Sequence, residues 1–238
     1  MSLRAALNVV LHQTRSPDNL GAIARIMANF GFSKLALSDP TTYAFSSAEK
    51  LAVRGEAVLE KMKVHRSLGE ALENAVYACG TTSRHLARRE ALSPEEAVSR
   101  LAFHAKRGEV ALVFGGEKRG LSDAELSLCH DVLVIPTDAA QPSMNLAQSA
   151  AVLLYLCARA GAAGEGDAGG SPEPGAPMAT LRALEERMKE VLLAAGYLNP
   201  QAPEHILAEL WRTLARAGLN RREAELWLAA FKQLGRRP

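Results

Sequence analysis

Residues 109–149 constrain the fold of this 238-residue chain more than any other stretch. Two apolar runs, 110–114 and 132–135, each enter a polar loop carrying glycine or proline that then opens a helix. Short continuous apolar runs bounded by turn residues are the pattern of strands covered on both faces. A strand that runs through such a loop into a helix start aims backbone donors at one spot. Something small and polar is therefore expected where the two loops meet. Read singly, each loop is equally consistent with an ordinary turn.

Gly115 and Gly120 have the G-x-x-x-x-G spacing of a phosphate-binding loop. That loop needs a lysine next, followed by Ser or Thr for magnesium, and Leu121 stands at the lysine position. The dinucleotide-binding G-x-G-x-x-G pattern is absent as well. A nucleotide-dependent regulator is thus disfavoured. Ser122-Asp123-Ala124-Glu125 reads as a capping box, which makes residues 120–122 the lip of a strand-to-helix turn. Asn145 with Gln148, ahead of the apolar run 150–156, reads in the same way and leaves Ser143 exposed just outside the helix.

Around this centre, strands alternate with helices. Residues 7–11 form an apolar strand and Pro17 lies in the loop after it. Asn19 is expected as the N-cap of a helix over 20–30 that Gly31 ends, with Ile23, Ile26, Met27 and Phe30 on one face and Arg25 and Asn29 on the other. Residues 34–38 form a second strand, and helices are expected after Ser46 and Ser67, each with a Ser-x-x-Glu box. A third strand, 76–80, ends in Thr81-Thr82-Ser83-Arg84, a polar loop at the strand end where open α/β sheets bind ligands. Ser93-Pro94 starts another helix, and a final one covers 146–159. The pattern predicts an α/β domain with a mostly parallel sheet and helices on both faces over residues 1–160.

Composition then changes to Gly, Ala, Pro, Glu and Ser, which predicts a flexible linker over 161–178. Residues 179–238 carry three amphipathic patterns, closed in turn by Gly196 and Gly218 and, for the third, capped by Asn220 with Glu223. They form a small all-helical extension. Arg221 and Arg222 lie in the first turn of the third helix, where the macrodipole disfavours cations by ~0.3–1 kcal/mol. With Arg216 they suggest a phosphate-contacting corner, or else a solvated surface. A net charge of +2 permits a nucleic-acid partner, while aromatic residues at 5% disfavour a face of stacked rings. Cys79, Cys129 and Cys157 lie far apart in apolar runs, which predicts buried, reduced thiols and a cytoplasmic protein. No secretory leader or membrane-length apolar run is present, and the six histidines are too scattered to suggest a site.

Three stretches taken together resemble one family. Asn19-Leu20-Gly21-Ala22-Ile23-Ala24-Arg25, then residues 114–122 (F-G-G-E-K-R-G-L-S), then Ile135-Pro136 with Ser143-Met144-Asn145-Leu146-Ala147 are similar to the three motifs of the SpoU/TrmH class of SPOUT RNA 2′-O-methyltransferases, in family order. The resemblance spans residues 3–160. It implies a C-terminal trefoil knot, which general connection rules do not foresee. It also implies bound S-adenosylmethionine and a homodimer that shares its two active sites across the interface. The helical extension is similar to that of a bacterial subgroup that methylates tRNA cytidine or uridine at the start of the anticodon loop. Ribosomal RNA is the alternative substrate, and a non-catalytic RNA-binding protein on the same scaffold is a rival reading.

Carried over by motif, the cofactor pocket consists of Thr81, Thr82, Ser83, Gly115, Gly120, Leu121, Ile135, Pro142, Ser143, Met144 and Leu146. Apolar walls and backbone donors suit a flat adenine, although Ile135 and Leu146 taken alone read as core. Arg25 is implied as the catalytic residue, with Asn19, Glu117, Ser143 and Asn145 as the polar shell. Arginine stays protonated in proteins, so Arg25 is expected to act as a cation, oriented by a bidentate pair with Glu117. Without the motif it reads as a surface ion-pair partner. No metal is required. One departure is Arg54-Gly55-Glu56, where relatives tend to carry small residues.

Overall fold

The computed structural model describes residues 1–41, 47–84, 86, 90–163 and 174–235. Ser46 and residues 164–173 of the expected linker lie outside the described residues, as does the Arg216 side chain. The chain divides into two compact units, Met1–Ser171 and Pro172–Pro238.

In the first unit, α1 (Leu3–Ala6), β1 (Leu7–His12), α2 (Pro17–Phe30) and β2 (Lys34–Ser38) come first. Then follow α3 (Ala48–Ala52), α4 (Glu56–Glu60), β3 (Lys63–His65), α5 (Leu68–Leu72) and β4 (Ala75–Thr81). The unit ends with α6 (Pro94–Ala105), β5 (Glu109–Phe114), α7 (Asp123–Ser127), β6 (Asp131–Leu133) and α8 (Leu146–Ala163). All strand pairings are parallel, in the order β3-β2-β1-β5-β4-β6. β1 and β5, at the centre, align Leu7 with Val110 and Leu11 with Phe114.

Both faces of the sheet are covered. Leu7, Val9 and Leu11 share one core with Ile23 and Met27 of α2, Leu101 of α6 and Leu153 of α8. On the other pleat Val10, Ala111 and Val113 are buried too, and Leu121, Leu126 and Cys129 close over Gly80. The buried thiols Cys79, Cys129 and Cys157 are free, and burial pushes Cys157 up to about 12.

Several elements depart from the sequence pattern for identifiable reasons. α2 begins three residues before Leu20, because Pro17 suits the first helical position and Ser16 Oγ accepts from Asn19 N at 3.2 Å. Asn19 is therefore not the N-cap. β3 was not evident, since Lys63-Val64-His65 is a short, partly exposed edge strand with no apolar run. β6 stops at Leu133, and α8 runs four residues past Arg159. The capping boxes at Ser122 and Ser93 are formed, whereas Ser47, which precedes α3, makes no side-chain cap bond.

In the second unit α9 (Met178–Ala194), α10 (Glu204–Arg216) and α11 (Arg221–Leu234) enclose a small core of Met188, Leu198 and Leu207, flanked by Trp211 and Phe231. Gly196 and Gly218 take positive φ after α9 and α10, and Asn220 with Glu223 completes a capping box for α11. Arg221 is engaged with Glu225 at 3.1 Å rather than free at the helix start.

Small residues let α2 approach its neighbours. A methyl at Gly21 would run into the Ala48 carbonyl, and one at Gly55 would lie 2.8 Å from the Ala24 carbonyl oxygen. Arg54, beside Gly55, sits at φ +67°, where a side chain is strained. Gly21→Val is expected to cost about 1–3 kcal/mol by forcing α2 from α3. Arg54→Gly should gain about 1 kcal/mol by relieving the backbone. Urea denaturation of both variants checks the pair, and shifts of the same sign would contradict this packing.

Candidate active site

Three loops meet beyond the carboxyl ends of the strands. The first follows β1 and enters α2, the second follows β5, and the third runs from β6 to α8. β1 and β5 are neighbours although 97 residues separate the end of one from the start of the other. Their adjacency puts Glu117, three residues past β5, against the start of α2.

Glu117 joins the first two loops. Its Oε1 accepts from the Ser16 backbone N–H at 3.1 Å and the Asn19 amide at 3.0 Å, and its Oε2 accepts from the Arg15 N–H at 3.1 Å. The Thr14 hydroxyl donates to Oε1 at 3.4 Å. The third loop is joined through Asn145, whose Nδ2 donates to Asn19 Oδ1 at 3.1 Å. Asn145 Oδ1 meanwhile accepts from the N–H groups of Ala147 and Gln148, capping α8. Because Ser16 caps α2, the Asn19 side chain is left to bridge Glu117 and Asn145.

Arg25 does not join this chain of bonds. It is exposed on α2, six residues from Asn19, and makes no hydrogen bond or ion pair among the described residues. The expected Glu117–Arg25 pair is absent because the Glu117 oxygens are taken by Asn19 and the backbone of residues 15 and 16. Ser143 is exposed and likewise makes no hydrogen bond among the described residues.

The remaining expected residues line the edges of the same loops. Thr82 N donates to Leu133 O, fastening the end of β4 to β6, and Arg84 Nη2 donates to Leu121 O at 2.7 Å and to Asp123 at 3.0 Å. Thus the loop after β4 is tied to the loop after β5. Within the latter, Gly116 and Gly120 pair across a tight turn, Gly120 has φ +63°, and a methyl on Gly115 would strike the Gly120 and Leu121 backbone. Leu121 and Leu146 are buried, Ile135 and Met144 half-buried, and Pro142 exposed.

The sequence reading missed a second polar group directly beneath. His12 and Ser38, at the ends of β1 and β2, are buried and bonded to each other at 2.9 Å, and His12 Nε2 meets Glu125 at 3.0 Å. His12 closes an apolar run, which was the available signal, but its partners lie 26 and 113 residues away.

Residues 6–155 match the SpoU rRNA Methylase family. The chain belongs to this family. A Pseudomonas aeruginosa (strain UCBPP-PA14) protein named tRNA (cytidine/uridine/adenosine-2'-O-)-methyltransferase TrmJ is 31% identical over 233 residues, covering 92% of this chain and 90% of its own. The crystal structure of TrmJ from Z. mobilis ZM4 superposes with a TM-score of 0.78 at 26% identity, covering 95% of this chain and 98% of that one. The SpoU methyltransferase AviRb from Streptomyces viridochromogenes, solved with AdoMet, shares the fold at 21% identity and a TM-score of 0.51, covering 66% of this chain and 61% of its own.

As a SpoU methylase the chain uses S-adenosylmethionine. Its residues fit that cofactor. Ile135 and Met144 keep half-open apolar surface, residues 81–84 supply a polar loop tied to Leu133 and Leu121, and a side chain at Gly120 would meet nothing within 4 Å. Apolar walls with backbone donors alongside suit adenine and ribose.

The SpoU site also has a defined charge. Burial opposes ionisation of Glu117, but bonds from the Asn19 amide and the backbone of residues 117, 16 and 15 outweigh it and hold the carboxyl below its ordinary value. A depressed carboxylate contributes stability that is complete above the unfolded pKa, roughly 4.3, and lost as pH falls through the lower folded one. Glu117→Gln should therefore be less stable than the parent at pH 7, with the gap closing below about pH 4. Unfolding free energies measured from pH 7 to pH 3 check this; a gap that widens in acid would refute it.

Proposed function

We propose that this SpoU-family enzyme transfers the methyl group of S-adenosylmethionine to the ribose 2′-hydroxyl of a tRNA cytidine or uridine at the start of the anticodon loop. The observation that carries the chemistry is the bonded chain Glu117–Asn19–Asn145, a preorganised polar cluster between three loops. The tRNA assignment rests on the substrate named for the Pseudomonas relative, over nine-tenths of both chains. On this reading the chain is cytoplasmic, residues 1–160 are the catalytic domain with a trefoil knot, 161–178 are a linker, and 179–238 bind RNA or support the dimer. Among the described residues no helix is long and apolar enough to cross a membrane.

The cofactor supplies a methyl group already activated by its sulfonium. The protein has to hold the ribose in line with that methyl and stabilise charge as the hydroxyl loses its proton. In this reading Thr81, Thr82, Ser83, Gly115, Gly120, Leu121, Ile135, Pro142, Met144 and Leu146 hold the cofactor. Asn19, Asn145 and Ser143 orient the ribose, with Glu117 fixing Asn19. Arg25 remains a cation that binds a substrate phosphate and stabilises the forming alkoxide, and the proton leaves to water or phosphate.

The position of Arg25 bears on the assembly. Six residues along a helix amount to about 9 Å of rise and most of two turns, so Arg25 and Asn19 point in different directions from α2. Within one chain both reach a single oxygen only with the Arg25 side chain swung back along the helix, whereas from two chains no such constraint applies. A homodimer with shared sites removes the constraint, and exposed Leu51, Val53, Val152 and Tyr155 offer apolar surface for it.

Methyl transfer from labelled cofactor to unmodified tRNA and ribosomal RNA, with the product located by nuclease digestion and mass spectrometry, tests the activity. A 2′-O-methylpyrimidine in the anticodon loop is expected, and Arg25→Ala should lower turnover ~10²-fold or more with cofactor affinity nearly unchanged. Label in ribosomal RNA alone would discard the tRNA assignment. Mixing inactive Arg25→Ala chains with inactive Gly115→Val chains is expected to restore activity, since each mixed dimer then holds one intact shared site. No recovery despite demonstrated subunit exchange would place Arg25 in its own chain's site.

A further inference from the structure

Among the described residues, the buried polar side chains are His12, Thr14 and Ser38. All three lie at or just beyond the carboxyl ends of the neighbouring strands β1 and β2, away from the buried Tyr77 hydroxyl that donates to Asp131 across β4 and β6. A polar group withdrawn from water is costly unless bonded, so each such position calls for an explanation. Thr14 belongs to the Glu117 cluster. His12 and Ser38 do not, and nothing in the proposed chemistry uses them.

The bonds of His12 fix its role. Burial opposes ionisation of Glu125, but the Ser122 backbone, the His12 ring and the Ser122 side chain outweigh it and hold the carboxyl below its usual range. An ionised carboxylate only accepts, so His12 Nε2 is the donor in the 3.0 Å contact with Oε1. Glu125 Oε2 accepts from the Ser122 N–H at 2.6 Å. Imidazole, carboxylate and peptide thus form a line that ends one residue past Leu121. On the far side, His12 Nδ1 and the Ser38 hydroxyl, 2.9 Å apart, hold the ring in plane.

The backbone of the same residue supports the other leg of that loop. A methyl on Gly116 would lie 3.4 Å from His12 O and 2.6 Å from Gln13 O, so the loop enters directly over these carbonyls. The loop that carries Gly115, Gly120 and Leu121 therefore lies over the carbonyls of Gln13 and His12 where it enters and is linked to the His12 ring through Glu125 where it leaves. We infer that His12 is a positioning residue for the methyl-donor pocket, acting through Glu125 to set the 115–122 loop in its binding shape. This inference rests on the pocket assignment made above.

The test uses the full-length protein, with S-adenosylmethionine affinity from calorimetry, the apparent KM and kcat for the cofactor, and thermal melting. His12→Phe fills the ring volume and removes both bonds. It should raise the dissociation constant and KM about tenfold, the scale of one lost charge-assisted bond, while leaving kcat at saturation nearly unchanged. Glu125→Ala should match it, the double variant should be no worse than either single one, and Glu125→Gln, whose oxygen accepts from the Ser122 N–H while its amide donates to His12 Nε2 in the ring's other tautomer, should recover most of the affinity. Ser38→Ala is the control for a purely structural role, since it loses the bond on the side away from the loop but leaves the His12–Glu125 bond in place, and should lower the melting temperature while weakening cofactor binding far less than His12→Phe does. If His12→Phe melts earlier yet binds cofactor as the parent does, or if the two losses simply add, His12 only stabilises the fold and the inference fails. Should His12→Phe not fold, Glu125→Ala against Glu125→Gln decides alone. Ile135→Ala separates the two readings: if it leaves affinity untouched while His12→Phe lowers it, the pocket has been drawn in the wrong place.

Discussion

Everything at the carboxyl edge of the sheet depends on where the Glu117 carboxylate sits. The first N–H groups of a helix have no partner within it, and the aligned peptide dipoles make that end attractive to an anion. In many folds a substrate phosphate takes this place. Here the protein's own anion lies just before the start of α2, where it accepts from the backbone of residues 15 and 16 and from the Asn19 side-chain amide, while Ser16 Oγ takes the Asn19 N–H inside the first turn. The consequence is chemical as well as structural. A carboxylate fixed at this point repels other anions from the approach to α2, and it locks two loops together.

That lock is possible because of strand order. β1 lies between β2 and β5, so segments far apart in sequence end side by side, and the apolar runs of β1 and β2 stop at polar last residues, His12 and Ser38. His12, Thr14 and Ser38 take over where the hydrophobic packing ends. The buried polar groups are satisfied in pairs, and each pair bridges different elements. Burial makes such bonds exacting, since a partner lost leaves a desolvated group behind. The loops above are held by directional contacts of that kind, while the apolar core below supplies most of the driving force.

What was legible in the sequence follows the range of the interaction that fixes it. Gly31 at φ +77°, the boxes at Ser122 and Asn220, the helix start at Ser93-Pro94 and the five apolar strand runs are local matters of periodicity and capping, and all could be read from a few residues. The start of α2 was also local but was placed too late, at Asn19, because Pro17 was read as loop although proline suits the first helical position and Ser16 caps it. β3 was illegible because an exposed three-residue edge strand needs no apolar pattern. At the site, Asn19, Glu117 and Asn145 were named from motif resemblance, yet their bonding was not foreseen. The carboxylate was expected on Arg25, and only the fold reveals that backbone donors claim it first. His12 was dismissed with the other histidines since its partners are separated from it by whole elements.

The site divides into groups whose bonding is complete and groups whose bonding is not. Glu117, Asn19, Asn145, His12 and Glu125 are bonded to one another or to the backbone, and a side chain so engaged has little left to offer a substrate except a fixed position. Arg25 and Ser143 make no such bonds among the described residues, although one carries a charge and the other a hydroxyl. Methyl transfer between two preorganised molecules requires both kinds: a frame that does not reorganise as charge develops, and a small number of uncommitted groups to meet that charge. The frame is what a single folded chain supplies. On the proposed function, the uncommitted cation on α2 has its use where RNA, or a second chain, comes to it.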